Sequence, residues 1–148
     1  MLILAIAIII SVGLMIGTEF AVWAFINPIL WQLDAPARAE AVRLFARKLG
    51  RVMPFWYAGN FLLIVTEAIL LRGQPEMEFL ATASGIWAAV IILTLIFLVP
   101  INNRLARQDS TLTLAQADRQ HRRWDGIHRV RVVALIAAFM LLLAGLHP

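Results

Sequence analysis

Cysteine is absent from the 148 residues, which excludes disulfides, thiolate metal sites and cysteine nucleophiles. Charged residues are scarce, at 15%, and no lysine or arginine precedes Arg38. The apolar N-terminus therefore lacks the positive leader region of a cleaved secretory signal, and a retained first span is expected. There is no internal repeat, no low-complexity tract and no second compositional regime. A single four-helix domain over 1–148 accounts for the length.

What fills the chain instead is hydrocarbon. A hydrophobic content of 61% and a mean hydropathy of +0.82 are too high for a soluble domain of this size, so the expected surroundings are a lipid bilayer. The net charge of +4 and the pI near 11.0 do not point to nucleic acid. The basic residues flank apolar runs, where membrane topology explains them.

Four spans follow, at about 2–26, 52–71, 78–101 and 127–146. Asn27-Pro28 is expected to stop the first, Arg72-Gly73-Gln74-Pro75 is turn chemistry that ends the second, and Pro100 is placed to kink the third. Between the first two spans, 34–50 has an apolar stripe of Ala37, Ala41, Leu44, Phe45 and Leu49, opened by Asp34 or Pro36. That amphipathic helix either lies along the headgroups or extends span two. Ser110 to Arg123 has helical character, with Thr113 as its cap. The fold class is all-α, a four-helix transmembrane bundle with an amphipathic helical segment before span two. Twelve of the thirteen basic residues, all but Arg72, fall in the first and third connectors and their flanks. By the positive-inside rule those connectors are cytoplasmic and both termini lie outside the cell membrane.

Ionisable groups in a bilayer face a bundle interior or a polar cavity, so their helical phase is informative. Trp124, His128, Arg131, Leu135 and Ala138 fall on one stripe of span four. Met53, Trp56, Asn60, Leu63 and Glu67 share one face of span two, and Met15, Glu19 and Trp23 recur at intervals of four on span one. Glu19 lies roughly 10 Å into the membrane from the cytoplasmic end and Arg131 roughly 6 Å, so the two can meet. Trp56, Tyr57 and Asn60 enter from the same side, and Asn102 and Asn103 end span three there. The expectation is a polar pocket in the cytoplasmic half, walled by tryptophans. The plainer reading is a buried ion pair that fixes helix register, with Trp23, Trp31, Trp56 and Trp124 forming an interfacial belt. Glu67, four residues from the outer end of span two, stands apart from this group.

Asp118, His121, Asp125 and His128 recur at i, i+3, i+7 and i+10, which would align four metal ligands if Gly126 left the helix intact. A solvated membrane-surface face is the more ordinary account, and no metal or other cofactor is expected. His147 is terminal and carries no weight.

The segment FLVPINNRL at 97–105, followed by RRWDGIHRVRVVALIAAF at 122–139, resembles the DUF1772, or anthrone oxygenase-like, family of membrane proteins. Gly17 and Phe20 late in span one, with Pro28 at its end, fit the same pattern. The resemblance covers essentially the whole chain and implies a four-helix membrane protein. Some fungal relatives convert anthrones to anthraquinones with molecular oxygen, without an evident metal or flavin. Asn102, Asn103, Trp124, His128 and Arg131 match the family's polar signature. Asp125-Gly126 replaces the asparagine expected beside the histidine, and Glu19 and Glu67 are not general family features.

The chemistry implied is coherent with these residues. An anthrone has an acidic benzylic position whose enolate reacts directly with oxygen. His128 is the natural base, Arg131 and the Asn102-Asn103 amides would stabilise the oxyanion, and Glu19 would orient His128 or neutralise Arg131. Trp56, Tyr57 and Trp124 would stack on a flat lipophilic ligand, with Asn60 beside them. Two other readings stand beside this oxygenase or binder. One is a non-enzymatic membrane subunit or scaffold held together by its polar stripe. The other is a proton-coupled transporter of lipophilic compounds using Glu19 or Glu67, which the lack of inverted-repeat symmetry disfavours. A homo-oligomer is compatible with the chain, although no small-xxx-small motif marks an interface.

Overall fold

The computed structural model describes residues 2–107 and 111–146. All regular structure among them is helical. Four helices are long and apolar enough to cross a membrane: α1 (Leu2–Leu30), α2 (Ala35–Leu70), α3 (Met77–Ala106) and α4 (Leu114–Gly145). At about 1.5 Å per residue each exceeds a hydrocarbon core of about 30 Å, and α2, α3 and α4 carry a polar extension as well as an apolar body. The amphipathic segment at 34–50 is one such extension, continuous with α2. Asp34 caps it by accepting from the Ala37 amide at 3.1 Å. α4 opens on a capping box, in which Thr113 accepts from the Gln116 amide and Gln116 reaches back to the Thr113 amide. The expected start of that segment, Ser110, lies outside the described residues, as does His147.

Pro28 does not act as the sequence suggests. Asn27-Pro28 does not stop the first helix, which runs on to Leu30. A π-turn over Val22–Ile26 comes immediately before, so Pro28 sits in the opening turn of a renewed α-helix, where a missing N–H costs little. The same device recurs in α3, where a π-turn over Thr94–Leu98 precedes Pro100. Pro54 lies in the interior of α2 without such a turn and leaves the carbonyl of Gly50 without its helical donor. Gly126 does not interrupt α4. Between α2 and α3 the chain turns at Gly73, whose φ of 88° favours glycine.

The three polar stripes face inward. Met15, Glu19, Asn60, Glu67, His128, Arg131, Leu135 and Ala138 are all buried, while residues such as Leu14, Phe55, Leu62 and Ile92 form an exposed apolar surface suited to lipid. The main core joins Ile8, Val12, Ile64, Leu80, Trp87, Leu135 and Leu142 in the half of the bundle away from the basic connectors. Polar clamps hold the helices within this core. The Ser11 hydroxyl of α1 donates to Asn60 Oδ1 at 2.6 Å and accepts from Trp56 Nε1 at 3.0 Å, tying α1 to α2. Trp87 Nε1 donates to the Tyr57 carbonyl at 3.2 Å, tying α3 to α2.

Ser11→Ala removes both bonds of the first clamp and strands the buried Asn60 amide. Thermal unfolding of the purified protein in detergent is expected to show a loss of about 1–2 kcal/mol. An unchanged midpoint would show that this clamp contributes nothing.

Candidate functional site

The site is built around Glu19, a carboxylate deep in α1. Its Oε2 lies 2.5 Å from Arg131 Nη2 and 3.1 Å from His128 Nδ1, both on α4. His128 and Arg131 stand one turn apart, so a single carboxylate engages both. The other ring nitrogen, His128 Nε2, lies 3.1 Å from the Glu19 backbone carbonyl. A carbonyl only accepts, so Nε2 carries a proton. Nδ1 has two alternatives, because Arg131 Nη2 also stands 3.0 Å from it. With the ring neutral, Nδ1 accepts from Arg131; with the ring protonated, Nδ1–H donates to Glu19. One proton thus decides which neighbour the imidazole holds. Trp124 fixes the ring plane by stacking on it at 4.6 Å.

Arg131 is not fully satisfied by these partners. Its Nη1 reaches Thr94 Oγ1 only at 3.4 Å, and its Nε is buried without a hydrogen-bond partner among the described residues. Its guanidinium also lies 5.4 Å from the centre of the Tyr57 ring, in cation–π range.

Glu19, His128 and Arg131 line an open cleft with about 620 Å³ of space between its walls and at its mouth. Asn102, Asn103 and Trp124 line it too, as do Gly50 and Pro54 of α2 and Thr94 and Leu98 of the α3 π-turn. The two π-turns therefore flank the ion pair, with Val22 on one wall and Thr94 on the other. Gly50 admits Asn102 to the wall: a Cβ there would stand 2.6 Å from Asn102 Nδ2, which donates to the Ala46 carbonyl at 3.0 Å. A second, mostly apolar groove of about 440 Å³ shares Val22, Leu49, Asn102 and Trp124 with the cleft and extends it along Ile26, Leu30 and Phe45.

Six of the nine residues expected at the site come together on the cleft: Glu19, His128, Arg131, Asn102, Asn103 and Trp124. Trp56 and Asn60 do not line it, because both bind Ser11 in the clamp between α1 and α2. Tyr57 lines an adjoining cavity with Met53, Thr94 and Arg131. Of the expected tryptophan walls, only Trp124 lines the cleft. Trp31 stacks on His121 at 4.9 Å, between the guanidiniums of Arg38 and Arg122. Glu67 lines none of the cavities described above.

The four aligned residues on α4 form no metal cluster among the described residues. Asp118 is bound by Arg38 at 2.9 and 2.6 Å. Asp125 accepts from Asn27 Nδ2 at 2.6 Å and from Arg129 at 2.7 Å, His121 contacts Asn27 Oδ1 at 3.2 Å, and His128 belongs to the Glu19 cluster. Helical spacing alone did not bring these four side chains to a common point. Asn27, read in the sequence as a stop, is instead a buried bridge between α1 and α4. Its place eight residues beyond Glu19, in step with Trp23, is the signal that marks it. No spacing rule pointed to Thr94 or Gly50.

A family model for anthrone oxygenases matches residues 41–141, which carry every cleft residue of α2, α3 and α4 and leave out Glu19. No curated protein and no solved structure matches the chain.

Breaking the buried pair from one side leaves an uncompensated charge, so Glu19→Gln and Arg131→Met are each expected to destabilise the bundle by roughly 3–5 kcal/mol. The double variant should recover most of that loss. Unfolding measured across this double-mutant cycle checks it, and additive losses would contradict a direct pairing.

Proposed function

The chain belongs to the anthrone oxygenase family, and on that premise we propose that its cleft binds a flat lipophilic aromatic carbon acid, such as an anthrone, and promotes its oxidation by molecular oxygen. The observation that carries this reading is the state of Arg131. It is a buried guanidinium on the wall of an open cleft, with an Nε that has no partner among the described residues and an Nη1 held only at 3.4 Å. Donors left free at such a place are aimed at charge that develops on a ligand oxygen.

In this reading the ligand lies along Trp124 with its carbonyl toward Arg131 and the Asn102 and Asn103 amides. His128 acts as general base through Nδ1, since Nε2 is committed to the Glu19 carbonyl. As the ligand enters, Arg131 leaves Nδ1 for the ligand oxygen. Nδ1 takes the benzylic proton, and the new N–H turns to Glu19 Oε2, 3.1 Å away. Glu19 thus stabilises the imidazolium at the moment when Arg131 is turned toward the enolate. The enolate then reduces oxygen and combines with it at the former CH₂ carbon, and the peroxide anion takes the proton back from His128 Nδ1 to give a hydroperoxide and restore the neutral ring. Loss of water from the hydroperoxide leaves the quinone carbonyl, so one O₂ is consumed and one water released per CH₂ converted to C=O. Trp56 and Asn60 serve this chemistry through helix packing, and Tyr57 through its ring beside Arg131.

The four helices are read as one membrane domain. The cleft is read as lying in the cytoplasmic half with both termini outside, and what supports this reading is the gathering of twelve of thirteen basic residues in the first and third connectors and their flanks.

His128→Ala is expected to lower oxygen uptake on an anthrone by roughly 100-fold or more, with the variant still a folded four-helix bundle by circular dichroism. Unchanged uptake would remove His128 as the base.

A further inference from the structure

Beyond the cleft, the polar extensions of α2, α3 and α4 frame a recess of about 820 Å³, lined from 36–43, 104–107 and 112–121. Four arginines line it: Arg38, Arg43, Arg104 and Arg107. Arg38 is neutralised by Asp118, and Arg43 by Glu40 at 2.8 Å. Arg104 and Arg107 have no carboxylate partner among the described residues, so the described part of the lining carries two more guanidiniums than it pairs. Arg43 is also left with a buried Nη1 that has no acceptor among the described residues. Uncompensated guanidiniums and an unmet N–H donor around one recess suit an anion with several acceptor oxygens.

The recess does not end in polar walls. Val42, Leu105 and His121 line both the recess and the apolar groove that leads along Ile26 and Leu30 toward the cleft. Leu114 in the lining of the recess and Phe45 in that of the groove are exposed apolar residues. A ligand that fits both parts has an anionic head and an apolar body. We propose that the recess binds a phosphate-bearing anion, and that its occupant is the headgroup of an anionic phospholipid whose chain follows the groove.

Native mass spectrometry of the detergent-purified protein tests this, using phosphatidylglycerol and phosphatidylcholine of the same chains, with inorganic phosphate as competitor. The wild type should retain phosphatidylglycerol about 10-fold or more better than phosphatidylcholine. R104Q/R107Q should lose that preference, whereas R119Q/R123Q, which removes equal charge outside the recess lining, should keep it. Equal loss in both double variants would reduce the effect to diffuse surface charge and overturn the site, as would equal retention of the two lipids by the wild type. Displacement of phosphatidylglycerol by millimolar inorganic phosphate would assign the recess to a free phosphate and overturn the lipid headgroup.

Discussion

The pairing of Glu19 with Arg131 is the constraint from which the rest of this structure follows. Neither charge is tolerable alone in the interior of an apolar bundle, so α1 and α4 must meet at the depth where the two side chains reach each other. Once they meet, His128 is drawn in by both, through the Arg131 guanidinium and the Glu19 backbone carbonyl. Trp124 then packs on its ring. A cluster that includes three ionisable side chains cannot be covered by hydrocarbon on every side, and the bundle opens a cleft at that point. The main apolar core, by contrast, lies toward the opposite end of the helices.

The backbone makes room for the cluster in a consistent way. Two π-turns, Val22–Ile26 in α1 and Thr94–Leu98 in α3, stand beside the cleft, and each is followed at once by a turn that contains a proline. A π-turn inserts one extra residue and changes the helical phase beyond it, so the polar extensions present different faces from the apolar bodies. In α1 this carries Asn27 to Asp125 and His121, which ties the lower part of α1 to α4 by a second, uncharged bridge. Pro54 and Gly50 do comparable work on α2: one frees a backbone carbonyl, and the other lets the Asn102 amide approach. The cleft is thus bounded by irregularities in three helices and, on the fourth, by His128 and Arg131.

Much of this was legible in the sequence, for identifiable reasons. Runs of apolar residues longer than a bilayer core declare spans whatever their neighbours, and charges inside such runs declare inward faces. The stripes through Glu19, Asn60 and Arg131 therefore pointed the right way. Phase and depth, however, do not decide which inward residue reaches which partner. Trp56 and Asn60 share the stripe of Met53, yet Ser11 captures both, because a hydroxyl on the facing helix offers a donor and an acceptor at their level. Pro28 misled because its effect depends on the turn before it, and a π-turn has no sequence signature of its own. The aligned acids and histidines of α4 carried no signal of their partners, since each is held by a residue of α1 or α2, or of α4 itself.

Between fold and function stands the proton on His128 Nδ1. Its arrival exchanges an Arg131 contact for a Glu19 contact while the Nε2 proton stays on the Glu19 carbonyl, and in the proposed function this exchange would link ligand ionisation to the release of Arg131. Nitrogen-15 NMR of histidine-labelled protein reads both ring nitrogens of His128 directly, with the resonance assigned through His128→Gln. The account predicts a protonated Nε2 and an unprotonated Nδ1 in the free protein, with Nδ1 gaining a proton when an anthrone is bound under exclusion of oxygen. A ring protonated at Nδ1 alone, or a spectrum that does not change with saturating anthrone, would contradict it.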